Sequence, residues 1–144
     1  MYQRILVPVD GSNTSTLALQ HAIRFAKDQR AQIKIVHVVA HLEAWGLEGH
    51  ISLDKSFREN GTQLINEAAA IAREDGIAVE TTLLESKGRR PSAVIVEEAR
   101  HWPADIIVMG SSGRGRVDEF VFGSVADGVL RTSSVPVLLL PARA

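Results

Sequence analysis

The chain has no cysteine, which excludes disulfide bridges and thiolate metal sites and fits a reducing cytosol. It also lacks a charge excess. Lys+Arg 16 against Asp+Glu 17 leave a formal net charge of −1, where a general nucleic-acid binder needs a basic surplus. No apolar run reaches the ~20 residues of a membrane-spanning helix. Met1, Tyr2, Gln3 and Arg4 lead straight into a strand pattern, so no signal peptide is expected. No repeat, low-complexity tract or interdomain linker stands out. What remains is an ordinary globular composition, 45% hydrophobic and 23% charged over 144 residues. A chain of that length suits one domain that buries roughly two-thirds of its surface on folding. The expectation is a soluble, cytoplasmic single domain spanning residues 1–144.

Apolar runs of strand length alternate with helical patterns. Ile5–Val9 is short and β-branched, and it ends at the turn signal Asp10-Gly11. From Thr14 to about Gln29, Leu19, Ala22, Ile23 and Ala26 recur at helical spacing, with Asn13 or Thr14 available as a cap. Ile33–Val39 reads as the second strand. An irregular stretch with Trp45, Gly46 and Gly49 is expected from Ala40 to about Ser52, and such long connections are often functional or mobile. A longer helix follows, with Phe57, Leu64, Ile65, Ala68 and Ala72 on one stripe and a stop at Asp75-Gly76. Ile77–Leu84 is the third strand. Pro91 suits the first turn of a third helix, whose inward face is Val94 or Ile95, Ala99 and Trp102. Asp105–Met109 is strand four, about Phe122 to Arg131 helix four, and Val135–Leu140 strand five. The βαβαβαβαβ order predicts an α/β fold: a single doubly wound, open, parallel five-stranded sheet with helices on both faces.

Ligands of such sheets bind beyond the strand carboxyl ends, where the strand order reverses. With order 3-2-1-4-5, that crevice lies between strands one and four. Strand one ends in Asp10-Gly11, and strand four empties into Gly110-Ser-Ser-Gly113, followed by Gly123-Ser124 at the start of helix four. Glycine lets backbone N–H groups crowd an anion, and a helix start adds a positive dipole end. The first reading is a phosphate site. It is not a Walker loop, because Arg116-Val117 stands where Lys and Ser/Thr are needed. It is not a dinucleotide fingerprint either, since Asp118 replaces the third glycine and the motif follows the fourth strand. No Gly-x-Ser-x-Gly elbow surrounds Ser111, Ser112 or Ser124, so a serine hydrolase has no support.

The pattern Gly110-x2-Gly113-x9-Gly123-Ser124 does match a known family. With Val7-Pro-Val-Asp10-Gly-Ser12 and the closing Ser124-Val-Ala126 and Val135-Pro-Val137, it resembles the universal stress protein family over the whole chain. It is similar in particular to the nucleotide-binding branch, whose glycine pattern the other members generally lack. The resemblance implies the sheet order 3-2-1-4-5, ATP, ADP or AMP in the crevice, and a homodimer. It also implies roles. Asp10 would take a ribose hydroxyl, with Pro8 and Val9 beside it against the base. The backbone of Val38 would meet the adenine edge, although nothing local to that strand signals a purine. Met109 and Gly110 would flank the ribose, Gly113, Arg114 and Gly115 would approach the phosphates, and Gly123, Ser124 and Val125 would bind phosphate. For Asp10 alone a turn or cap role is the competing reading. For Gly110 and Gly113 it is a tight turn needing positive φ.

His37 and His41 straddle a strand end rather than sharing a helix face, so with His50 they make no convincing zinc site. No metal ligand is assigned; Mg²⁺ or Mn²⁺ would arrive only on nucleotide phosphates. In the implied order Val135–Leu140 is an apolar edge, where Pro136 is tolerable; such an edge invites pairing with another chain unless a helix or loop covers it, and the resemblance implies a second copy. No catalytic residue is assigned, because no P-loop lysine or dedicated carboxylate pair is present. The leading expectation is an adenine-nucleotide-binding sensor or regulatory module in stress response, with an unidentified protein partner and no nucleic acid or membrane. The alternatives are slow ATP hydrolysis or nucleotidyl transfer in the same crevice, and a nucleotide-independent dimeric interaction module.

Overall fold

The computed structural model describes residues 2–39, 48–111 and 123–141, with backbone alone at 48–54. Nine elements alternate along them: β1 (Arg4–Pro8), α1 (Asn13–Gln29), β2 (Gln32–Val39), α2 (Glu48–Glu74), β3 (Val79–Glu85), α3 (Pro91–His101), β4 (Ile106–Gly110), α4 (Ser124–Thr132) and β5 (Val137–Leu140). The sheet is all parallel, in the order β3-β2-β1-β4-β5 that the family resemblance implies. Among the described residues no helix is long and apolar enough to cross a membrane.

Alternation along each strand divides the core in two. Ile5, Val7, Ile33, Ile35, Ile106 and Val108 pack with the apolar stripes of α1 and α2. Leu6, Val36, Ile107 and Met109 turn to the opposite face and pack with α3 and α4. Strands covered on both sides need to be apolar throughout, which is why β1 and β4 read as continuous runs.

Several boundaries differ from the sequence reading. The cap of α1 is Ser12, whose hydroxyl accepts the Ser15 N–H, rather than Asn13 or Thr14. Helix α2 starts at Glu48, inside the stretch expected to be irregular up to Ser52; residues 40–47 lie outside the described ones. Ile77 precedes β3 instead of opening it, because Gly76 (φ 78°) turns the chain and Ile77 N–H closes onto the Ala72 carbonyl. Its side chain is still buried. Helix α4 opens at Ser124, and Phe122 lies outside the described residues. Strand β5 begins at Val137, so Pro136 stands just before it; its carbonyl accepts the Ile107 N–H. A missing N–H costs nothing there.

The ladder between β1 and β4 ends at Leu6 and Ile107. Pro8, next to point toward β4, has no N–H to leave unpaired where the two strands part. The sheet forks at that point, and the fork is the floor of a cavity.

Candidate functional site

A cavity of about 330 Å³ opens at the fork, within the size range of small-ligand pockets. Pro8, Val9 and Asp10 from the end of β1 line it, with Val38 from β2, Met109 and Gly110 from β4, and Gly123, Ser124 and Val125 at the start of α4. Residues that are far apart in the chain thus meet in one crevice. Gly113, Arg114 and Gly115 lie outside the described residues.

Asp10 holds the turn that leads out of β1. Its Oδ1 accepts the Ser12 N–H at 2.9 Å, and its own N–H donates to Ser15 Oγ at 3.1 Å. Gly11, at φ 84°, supplies the left-handed residue this turn requires. The turn role weighed for Asp10 is therefore real, and it engages one carboxylate oxygen. The second has no hydrogen bond among the described residues and is available at the cavity wall.

The helix starts around the crevice differ in what they offer. Helix α1 is capped by its own Ser12, and α3 begins with Pro91, which has no N–H. Helix α4 has Gly123 at its N-cap and no side-chain cap, so among the described residues its first-turn donors have no acceptor. The Gly123 N–H itself donates to the Ser111 carbonyl at 2.7 Å. The donors that remain belong to the residues after it, beginning with Ser124 and Val125. Gly123 thus seats the helix start on the end of β4.

At the opposite end of the cavity a peptide has no backbone partner among the described residues. Val9 N–H donates to the Val36 carbonyl at 2.8 Å, which is the last backbone rung between these strands. In a parallel ladder every second residue points the same way, so the peptide groups of Val38 also face this side. Among the described residues they find no partner on Val9 or Gly11. Val38 presents one donor and one acceptor into the crevice.

Gly110 owes its identity to packing, not to a positive φ. A Cβ there would lie 2.3 Å from Thr14 Oγ1 and 2.7 Å from the Thr14 backbone carbon. Ser12, Thr14, Ser15, His37 and Ser111 also line the wall, beyond the residues expected from the sequence. The run of hydroxyl residues after Asp10-Gly11 was the available signal for the first three. A second depression, about 510 Å³, adjoins the first and shares Asp10, His37 and Val38 with it.

Comparison with known proteins places this geometry in context. The profile of the universal stress protein family matches residues 1–141. The universal stress protein MJ0531 of Methanocaldococcus jannaschii is 33% identical over 143 residues, covering 97% of this chain and 82% of the relative. Among solved structures, the hypothetical protein MJ0577 superposes with a TM-score of 0.87 at 28% identity, covering 97% of this chain and 96% of that one. A universal stress protein from Archaeoglobus fulgidus, solved in complex with dAMP, matches with a TM-score of 0.69 at 26% identity, over 96% and 98% of the two chains. Another universal stress protein, solved in complex with cAMP, matches with a TM-score of 0.73 at 25% identity, over 96% and 97%.

Proposed function

From the premise that this chain belongs to the universal stress protein family, we propose that its crevice binds an adenine nucleotide and that the protein acts as a nucleotide-responsive sensor or regulatory module. The observation that carries this reading is the pairing across one cavity of two backbone sites without partners among the described residues: the Val38 peptide at one end and the start of α4 at the other. An adenine edge offers an amino donor beside a ring acceptor, which complements a peptide presenting one acceptor and one donor. Phosphate oxygens suit free N–H groups at a helix start, where the dipole also favours negative charge. Between them, the second oxygen of Asp10 would accept a ribose hydroxyl. The dAMP and cAMP complexes of similar chains support the same ligand class.

ATP, ADP and AMP share the adenosine and first phosphate that these groups address. Gly113, Arg114 and Gly115 are proposed to reach the further phosphates. Magnesium or manganese would be held through those phosphates and water. The described wall carries no lysine and one carboxylate, which supports binding over rapid turnover. Strand β5 is a sheet edge with Leu138 41% exposed, and we propose that two copies pair there as a homodimer. A cytoplasmic location and a role in stress response complete this reading.

Titration calorimetry with AMP, ADP, ATP and GTP tests it. Saturable binding of the adenine nucleotides, one per chain, with weaker binding of GTP, is expected. No binding heat with any of them at millimolar concentration would overturn it.

A further inference from the structure

Val9 sits where β1 leaves the sheet, and its carbonyl accepts a hydrogen bond from His37 Nδ1 at 2.7 Å. A carbonyl only accepts, so Nδ1 carries the ring proton. In a regular parallel ladder that carbonyl takes the N–H two residues beyond Val36, which is the Val38 N–H. The rung is missing here, and an imidazole donor stands in its place. The ring is confined from its other side by α2. A Cβ on Gly61 would lie 2.8 Å from His37 Cδ2, so this helix comes as close as it does because position 61 is glycine. His37 therefore occupies a slot with Val9 at one edge and α2 at the other, between the crevice and the adjoining depression.

We propose that His37 is a positioning residue of the crevice: its Nδ1–H satisfies the Val9 carbonyl in place of the Val38 N–H, and so keeps the Val38 peptide open for the base of the ligand. The proposal rests on reading the crevice as an adenine-nucleotide site. Its physical basis is competition for one acceptor. A part-buried carbonyl at a strand end needs a donor, and two stand within reach, the imidazole and the next backbone N–H. While the imidazole supplies the bond, the sheet stops one rung short. Remove it, and the ladder closes by that rung and withdraws the donor that the base would meet.

The test compares His37→Leu, which removes the donor, with His37→Asn, whose amide N–H retains one near Nδ1. Two readouts are taken: hydrogen exchange at the Val38 amide without ligand, and affinity for AMP. In the unaltered protein the Val38 amide exchanges without protection. In His37→Leu it becomes protected, and AMP affinity falls about tenfold, the worth of one hydrogen bond. His37→Asn restores both. Gly61→Ala, whose Cβ would press at 2.8 Å on both His37 Cδ2 and Leu83 Cδ1, is expected to displace the ring and reproduce the His37→Leu result, and serves if the leucine chain does not fold. An unprotected Val38 amide in both His37→Leu and Gly61→Ala, or undiminished AMP affinity in them, overturns the proposal. If the unaltered protein itself fails to bind AMP, the reading of the crevice falls, and the exchange comparison still decides the role of His37.

Discussion

Thr14 and Gly110 touch so closely that a Cβ on Gly110 would lie 2.3 Å from the Thr14 hydroxyl oxygen and 2.7 Å from the Thr14 backbone carbon. This contact sets the first turn of α1 against the end of β4 and fixes the width of the crevice between them. Gly110→Ala is expected to destabilise the protein by about 1–3 kcal/mol, the usual cost of overpacking, and to weaken nucleotide binding with it. Urea denaturation and calorimetry measure the two effects. Adding Thr14→Ala recovers only part of the loss, because the backbone carbon remains in place. Full recovery in the double variant would show that the hydroxyl alone sets the distance.

Gly123 caps α4 in an extended conformation, φ −63° and ψ 156°, which any residue adopts. Gly123→Asp therefore supplies the side-chain cap that α4 lacks. The unliganded protein should gain a few tenths of a kcal/mol of stability. Nucleotide affinity should fall at least about tenfold, since the carboxylate occupies the helix donors and repels phosphate. The opposite signs of the two changes, read by thermal unfolding and calorimetry, separate a ligand site from a structural one. Retained affinity in this variant would remove α4 from the site.

Asp10→Asn keeps an oxygen for the Ser12 N–H and so preserves the turn. It removes the charge from the oxygen assigned to ribose. Stability should change by less than about 0.5 kcal/mol, while affinity for AMP drops about tenfold, the scale of a hydrogen bond to a charged group. Asp10→Ala should lose both. Equal affinities of Asp10→Asn and the unaltered protein for AMP would place the ribose elsewhere.

Leu138 is exposed on β5 at the sheet edge. A charge there is a standard obstacle to edge pairing, so if two copies pair through β5 as proposed, Leu138→Arg is expected to sediment as a monomer where the unaltered chain sediments as a dimer. The fold should persist, because the side chain lies outside both cores.

The fold was legible because strand and helix periodicity alternate cleanly, and the site was legible in part because glycines and Asp10 fall at strand ends. Boundaries were less so. Ile77 is apolar and buried yet lies in a turn, since apolarity marks burial and not backbone conformation. Gly49 suggested a loop, although the backbone there is already helical, because one glycine lowers helix propensity by only about 1 kcal/mol. Pro136 read as part of a strand that starts one residue later. The open peptide of Val38 has no local signature at all. It arises from a rung missing between two strands, which depends on His37 and on where β1 leaves the sheet. Gly123 shows the same limit: its identity suggested a phosphate donor, whereas its N–H is engaged by Ser111.

The most direct test of a nucleotide held between the Val38 peptide and the start of α4 is an amide-resolved NMR titration with AMP. Saturable shifts centred on Val38, Asp10, Gly110, Ser124 and Val125 are expected, with both ends of the crevice responding at the same concentration. Shifts centred on other residues, or none at millimolar AMP, would contradict that placement.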